Sequence, residues 1–166
     1  MTRLQDIPPF VGHSDDQERP LGSYGVLMAA FWSGVAAFAA WFRGSGRELP
    51  ERMDLADMAL IATAAHKTSR LIAKDRVTST VRAPFTEFQE DSGAGEVEEA
   101  ARGRGMRRAI GELLVCPYCL NLWVAAAMTA GLLVAPRATR WLAGLMSALF
   151  GADLLQIAYK KAEDSL

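Results

Sequence analysis

Long uncharged segments alternate with short charged blocks along this chain. Residues 21–42 and 113–135 contain no Asp, Glu, Lys or Arg. About 20 helical residues cross a hydrocarbon core of roughly 30 Å, so each segment is long enough to span a membrane. Trp41 and Phe42 end the first segment beside Arg43, as aromatic residues at a membrane interface do. Neither segment has a polar face that could meet water, which disfavours a core helix of a soluble protein.

Two further apolar segments contain isolated charged residues. In residues 55–65 this residue is Asp57, and in residues 141–159 it is Asp153. Such residues are tolerated in a spanning helix when they face other helices or lie near an interface. Asp54 is a suitable N-cap for the first of these two helices. Both segments are therefore predicted to span the membrane as part of a bundle.

The pattern as a whole predicts an all-α polytopic membrane protein, with about four transmembrane helices in an antiparallel bundle. Pro136 and the short turn after it separate the last two helices, which indicates a helical hairpin. The predicted divisions are a disordered tail over 1–20, a membrane domain over 21–160 with spans at about 21–43, 54–74, 114–135 and 139–160, a loop over 75–112, and a C-terminal tail over 161–166. Within the loop, residues 89–105 are expected to be flexible or partly helical, with solvated charges.

Lys and Arg residues are distributed unevenly between the two ends of the predicted bundle. With four spans, the two termini and the middle loop share one side. That side carries eleven Lys and Arg residues, and the other side carries five. Because positively charged loops tend to stay in the cytoplasm, we expect a multi-pass protein of the bacterial cell membrane with both termini cytoplasmic. The formal net charge of −1 gives no reason to expect nucleic acid as a partner.

The two cysteines, Cys116 and Cys119, form a Cys-Pro-Tyr-Cys motif at the predicted cytoplasmic end of the third span. One interpretation is structural: Pro117 suits a first helical turn, and the cysteines pack there as small apolar residues. A second is a thiol site, since a helix N-terminus stabilises a thiolate at Cys116 and the cytosol keeps thiols reduced. The tetrapeptide is that of glutaredoxins, but the strands and amphipathic helices of that fold are missing around it.

A metal site is the third interpretation of this motif. Cys-x-x-Cys is half of a four-ligand zinc site. The chain has no second cysteine pair, and its two histidines are His13 and His66. Zinc bound by Cys116, Cys119 and His66, with Asp or water as a fourth ligand, is therefore a weak alternative. No cofactor is predicted otherwise.

The richest set of polar side chains lies in the segment HKTSRLIAKDRVTSTVRAPF. On a helix, Lys67, Arg70 and Lys74 lie on one stripe, with His66 one turn before Arg70. The simplest interpretation is that these long basic side chains reach the headgroup phosphates of anionic lipids. The alternative is an inward-facing pocket that binds an anion or pairs with Asp153, with Arg70 as the expected partner.

Three motifs, in this order, resemble a known family: ATAAHKTSRLIAKDRVTSTVRAPF, GELLVCPYCLNLWVA and GADLLQIAY. Over about residues 55–159 the chain resembles the small bacterial membrane proteins grouped as domain of unknown function 1360, which include a protein labelled as a sporulation protein. The family pattern maps onto Arg70, Lys74, Asp75, Arg82, Pro84, Cys116, Pro117, Cys119, Trp123 and Asp153. The resemblance implies a multi-pass membrane protein and supplies no activity, substrate or cofactor.

Three functions are compatible with this sequence. The leading one is a non-enzymatic binding or structural membrane protein, whose basic cytoplasmic face binds anionic lipid headgroups, a protein partner or further copies of itself. The second is a thiol redox or metal-binding membrane protein that uses Cys116 and Cys119. The third is a small oligomeric transporter or channel with Arg70 and Asp153 along its path. The candidate functional cluster contains His66, Lys67, Arg70, Lys74, Asp75, Arg82, Cys116, Cys119 and Asp153. None of these can be assigned a catalytic role from the sequence.

Overall fold

The computed structural model describes residues 19–165, most of which are helical. In chain order the elements are α1 (Leu21–Gly44), α2 (Leu55–Lys74), α3 (Ser79–Arg82), β1 (Thr86–Gly93), β2 (Glu96–Ala101), α4 (Gly105–Val115), α5 (Pro117–Val134) and α6 (Pro136–Glu163). Apart from its last two residues, the tail predicted over 1–20 lies outside the described residues.

Three of the described helices, α1, α5 and α6, are long and apolar enough to cross a membrane. They contain 24, 18 and 28 residues, which correspond to about 36, 27 and 42 Å of helix. Most of their side chains are not buried inside the protein: Phe31 and Phe42 are the buried residues of α1, Leu120 of α5 and Ala143 of α6. Apolar helices with so little protein around them indicate a membrane protein, because lipid must cover the exposed surface.

Helix α2 is the central helix of the bundle and packs along both α5 and α6. It begins as predicted, since the Asp54 carboxylate accepts a hydrogen bond of 2.9 Å from the backbone N–H of Ala56. Its small residues Ala64 and Ala65 are buried, which allows the neighbouring helices to approach closely. Because its second half is strongly basic, α2 is not among the three apolar helices, and these alone do not confirm the predicted four spans.

The prediction of an all-α fold is wrong in the segment after α3. Strands β1 and β2 form an antiparallel hairpin, with Thr86 opposite Ala101 and Gly93 opposite Glu96. A flexible or partly helical segment was expected here because of its many charges. The turn is favoured by glycines, since Gly93 and Gly95 adopt positive φ angles of 83° and 79°.

The alternation of more and less buried side chains along β2 also explains why this segment forms a strand. Val97 is buried and the side chain of Glu99 is 4% exposed, whereas Glu96 and Glu98 are only partly buried. Successive residues of a strand point to opposite faces, so this period of two suits a strand and not a helix. The sequence pattern obscures this alternation, because Glu99 is a charged residue that faces inward.

The segment predicted as the third span, 114–135, begins at the end of α4 and continues as α5. Cys116 lies between them in an extended conformation, with φ −103° and ψ 100°. Pro117 then occupies the first turn of α5, as predicted. Ala135 alone separates α5 from α6, so the predicted helical hairpin is present. Helix α6 begins at Pro136 rather than near residue 139, because proline is favourable in a first helical turn.

The small elements α3, β1, β2 and α4 form one unit, which we call the cap (residues 79–115). Helix α4 lies against the hairpin at Gly111, where a Cβ atom would come within 2.4 Å of the carbonyl oxygen of Phe85 and 2.9 Å of the Cβ of Ala101. The start of α1 reaches the cap through a hydrogen bond from the Tyr24 hydroxyl to the Glu112 carboxylate. The cap, the start of α1 and the end of α2 thus share one end of the bundle.

Candidate functional site at the cap end of α2

Arg82 is a fully buried arginine at the junction of α2, α3 and the hairpin, with 0% of its side chain exposed. Its Nη1 donates to the carbonyl oxygen of Ile72 at 2.6 Å, and its Nη2 donates to that of Asp75 at 3.0 Å. The last carbonyls of a helix have no partner within the helix, and a cation there also interacts favourably with the helix dipole. Arg82 therefore closes the C-terminus of α2.

Glu99 of β2 completes this buried site. It accepts two bonds from Arg82, from Nε at 3.0 Å and from Nη2 at 2.9 Å, and one each from the hydroxyls of Ser79 and Thr86, both at 2.6 Å. Burial alone would raise the pKa of Glu99, but the hydrogen bonds from Arg82, Ser79 and Thr86 outweigh it and lower the pKa from 4.5 to about 2. The carboxylate is ionised and fully bonded, which suits a structural role and not proton transfer.

Two members of the predicted basic stripe on α2, Arg70 and Lys74, pair with the hairpin. Arg70 makes a bidentate pair with Glu96, with Nε–Oε1 and Nη2–Oε2 distances of 2.7 Å each. The Lys74 ammonium lies 2.6 Å from a carboxylate oxygen of Glu98. These pairs join the last turns of α2 to β2, so the cations of the stripe are neutralised within the chain.

Asp153 of α6 pairs with Lys67, whose Nζ lies 2.5 Å from Oδ2. The expectation of a basic partner from the second predicted span is correct, but Arg70 was the wrong choice. Arg70 lies one turn nearer the cap, and the unpredicted hairpin offers it Glu96 instead. Lys67 is left opposite α6 at the level of Asp153.

The remaining members of the candidate cluster on α2 have local roles. The His66 ring packs edge-on against Phe150, with centroids 5.2 Å apart. The Asp75 carboxylate accepts a hydrogen bond of 2.8 Å from the backbone N–H of Val77, which fixes the turn after α2. Asp75 also forms a backbone bridge to Glu96. Asp75 therefore helps to place the hairpin beside the helix.

Cys116 and Cys119 are joined by a disulfide, where reduced thiols were expected. The break before α5 brings their Cα atoms to 5.2 Å, which lies within the range that a disulfide requires. The backbone N–H of Cys119 donates to Cys116 Sγ at 3.2 Å, so the first sulfur caps the helix. Within residues 19–165, no three His, Cys, Asp or Glu side chains are grouped as a metal site would need, so the structure does not assemble the weak zinc candidate.

A second line of polar contacts along α2 and α6 was not predicted. Arg140 makes a bidentate pair with Asp57 at 2.8 and 2.7 Å. Two turns further along, the hydroxyls of Thr63 and Ser147 lie 2.7 Å apart, and the Lys67–Asp153 pair follows after about another turn or two. We call these three contacts the α2–α6 seam. The regular spacing of polar residues in two apolar segments was the available signal.

A family of proteins of unknown function, DUF1360, has a sequence model that matches residues 60–159. The chain belongs to the DUF1360 family. The matched range includes the basic stripe, the Arg82–Glu99 site, the disulfide and Asp153, so every residue of the candidate cluster lies in the DUF1360 region. The resemblance noted from the three motifs is thereby confirmed.

A curated relative is also similar to this chain. It is the sporulation protein YjcA of Bacillus subtilis (strain 168), 30% identical over 105 residues, which cover 61% of this chain and 89% of the relative. No solved structure matches the chain.

Proposed function

We propose that this DUF1360 protein is a non-enzymatic integral membrane protein with four spans, whose cap is a rigid platform that binds a protein partner in the cytoplasm. The observation that carries this proposal is the pairing of Arg70, Lys74 and Arg82 with Glu96, Glu98 and Glu99, the three acidic residues of β2. Charges that are bonded to one another fix the position of the cap on the bundle. A flexible tether between membrane and cytoplasm would not need these links.

The packing of α2 supports its assignment as the fourth span. Its 20 residues correspond to about 30 Å of helix, the thickness of a hydrocarbon core. Asp57, near its start, pairs with Arg140 near the start of α6, and Lys67 pairs with Asp153. Charged residues within a membrane are costly unless they are paired. The seam supplies these partners and also holds α2 parallel to α6, since its contacts follow both helices from their N-terminal ends toward the cap.

The distribution of charge supports a cytoplasmic cap. The Tyr24–Glu112 contact joins the start of α1 to the cap at one end of the bundle. Two membrane crossings, by α1 and by α2, would bring the chain back to this end. Among residues 19–165, this end carries ten Lys and Arg residues and the other end carries five. The positive-inside rule then places the cap and both termini in the cytoplasm of a bacterial cell.

Exposed apolar side chains on and beside the cap favour a protein partner over lipid headgroups. Val77 is 82% exposed, Val81 65% and Phe88 62%. Val77 lies in the turn after α2 and Val81 lies in α3, so both belong to the segment that joins α2 to the hairpin. Exposed apolar patches on otherwise polar surfaces mark interaction sites. Arg70 and Lys74 of the stripe already pair with the hairpin, and Lys67 pairs with Asp153, so headgroup binding by the stripe has less support.

A photo-crosslinking amino acid in place of Phe88 tests the platform in growing cells. Glu87 is the matched control position, because neighbouring strand residues point to opposite faces. We expect a discrete protein adduct at position 88 and none at position 87. Adducts of equal yield at both positions, or adducts with lipid alone, would contradict the proposal.

The disulfide favours a second candidate function, thiol–disulfide exchange. In the cytosol a disulfide between Cys116 and Cys119 would be maintained only by turnover with a redox partner. In that reaction a partner dithiol supplies two electrons and two protons, its own disulfide forms, and both cysteines of this chain become thiols. Acid quenching of cells followed by mass analysis of alkylated thiols tests this. A mixed population that shifts with added oxidant supports the function, and two thiols under every condition would exclude it.

A further inference from the structure

Helix α1 leaves a groove along α5. The two helices touch where the rings of Phe31 and Trp123 meet edge-on, with centroids 5.1 Å apart. Two cavities follow each other along the helices and share Trp123 in their walls: one of about 450 Å³ near the cap and one of about 440 Å³ toward the middle of α1. We call the two together the α1–α5 groove.

The half of the groove toward the middle of α1 is apolar and lined largely by small residues. Ala30 and Gly34 of α1 face Ala126, Ala127 and Ala130 of α5. Side chains of this size leave the space between the helices unfilled. Because both helices are apolar enough to cross a membrane, hydrocarbon is the medium that would fill it.

The half of the groove near the cap ends in polar groups. Glu112 lines this cavity together with Tyr24, whose hydroxyl donates to it. Arg108 does not line the cavity itself but lies at its edge, where its Nε donates to the same carboxylate at 3.0 Å. A guanidinium has five N–H donors in a fork that matches phosphate oxygens, so this bond leaves donors of Arg108 for an anion.

The dimensions of the groove match one leaflet of a bilayer. The groove follows α1 from Tyr24 to Phe38, which are separated by 14 helical rises or about 21 Å. Half of a bilayer, including its headgroups, is also roughly 20 Å thick. The groove is polar at the end where headgroups lie and apolar over the rest, as a phospholipid is.

We infer that the α1–α5 groove binds one glycerophospholipid of the leaflet on the cap side, with its phosphate at Arg108 and an acyl chain beside Trp123 and Gly34. A helix of a second copy fits less well. The Phe31–Trp123 contact bridges the groove between its two cavities, and a helix about 10 Å across could not pass this point, whereas a flexible chain can. The inference needs the membrane setting and does not depend on a protein partner at the cap.

Native mass spectrometry of the full chain tests this site. The chain is transferred from nanodiscs of phosphatidylglycerol and phosphatidylethanolamine into mild detergent, and the phospholipids retained per chain are counted. Gly34→Leu is designed to fill the groove, because a Cβ atom at Gly34 meets nothing within 4 Å. Gly25→Leu is the matched control: its Cβ is equally free, and nine residues of helix place it on the opposite face of α1.

We expect the parent chain and Gly25→Leu to retain one phospholipid, and Gly34→Leu to retain at least tenfold less. Ala127→Leu, which fills the groove from α5, should act like Gly34→Leu, and Arg108→Gln should also lower retention. Circular dichroism and gel filtration identify any variant that fails to fold. Equal retention in all variants, or equal loss in Gly25→Leu and Gly34→Leu, would overturn the inference. A change of oligomeric state in Gly34→Leu without a change in lipid count would show that a second copy covers the groove, and would overturn it too.

Discussion

Arg82 and Glu99 form an ion pair from which solvent is almost completely removed, with side chains 0% and 4% exposed. The pair joins α3 to β2, and the same guanidinium closes the C-terminus of α2. One arginine thus links a helix of the bundle to the cap. A buried pair of this kind is stable only when all its donors and acceptors are satisfied, as they are here.

Replacing Arg82 should be strongly destabilising. Arg82→Ala leaves the Glu99 carboxylate buried without its cation, which costs about 3–5 kcal/mol. The control is Arg76→Ala: Arg76 pairs with Asp91, but these side chains are 59% and 61% exposed, and an exposed pair contributes at most about 1 kcal/mol. Unfolding by SDS in mixed micelles measures both. Similar small losses in the two variants would mean that the buried pair does not hold the cap.

The pKa of Glu99 predicts how acid affects the cap. The folded pKa is about 2 and the ordinary value is 4.5, so the contribution to stability is complete above pH 4.5 and is lost as the pH falls toward 2. The loss over this window is about 3 kcal/mol for a shift of this size. Glu99→Gln should be less stable at neutral pH and should lack this part of the pH dependence. Parallel pH profiles of the two proteins would contradict the assignment.

The Lys67–Asp153 pair is testable by a double-mutant cycle. Asp153→Leu or Lys67→Met alone strands a charge within the bundle and should cost several kcal/mol. Together they should recover part of the loss, because no unpaired charge remains. The control cycle combines Asp153→Leu with Arg70→Met. Its coupling should be much weaker, since Arg70 is hydrogen-bonded to Glu96 and interacts with Asp153 only at longer range. Coupling of Asp153 to Arg70 instead of Lys67 would refute this arrangement of α2 and α6.

The apolar helices were predictable because a lipid-facing helix needs no polar face, and a long uncharged run is itself the signal. Helix starts at Asp54 and Pro117 were predictable because caps depend on neighbouring residues only. The hairpin was not predictable. Glu96, Glu98 and Glu99 are typical of solvated positions in the sequence, because their partners lie 26, 24 and 17 residues away.

The candidate functional site was likewise predictable only in part. Asp153 clearly needs a partner within the bundle, and α2 offered several basic residues. The choice between Lys67 and Arg70 depends on the hairpin, which pairs with Arg70 and leaves Lys67 for α6. No local pattern contains that information, because the two residues of the Lys67–Asp153 pair are 86 positions apart.

Gly111 should be essential for the fit of α4 against the hairpin. Gly111→Ala places a Cβ atom 2.4 Å from the carbonyl oxygen of Phe85, so backbone must move, and we expect a loss of roughly 1–3 kcal/mol. Gly144→Ala in α6 is the control, because a Cβ there meets nothing within 4 Å and alanine is the better helix former. Thermal unfolding of both variants measures the difference. A Gly111→Ala protein as stable as Gly144→Ala would argue against this packing.

The proposed topology requires that α2 cross the membrane and carry the cap on the cytoplasmic side. Labelling of single cysteines with an impermeant thiol reagent tests this topology, in a background with Cys116→Ala and Cys119→Ala. Ser45 lies between α1 and α2, Ser92 lies in β1 beside the hairpin turn, and Ser165 follows α6. We expect Ser45→Cys to react in intact cells, and Ser92→Cys and Ser165→Cys to react only after permeabilisation. Reaction of Ser45→Cys and Ser92→Cys from the same side would show that α2 does not span the membrane and would contradict the account.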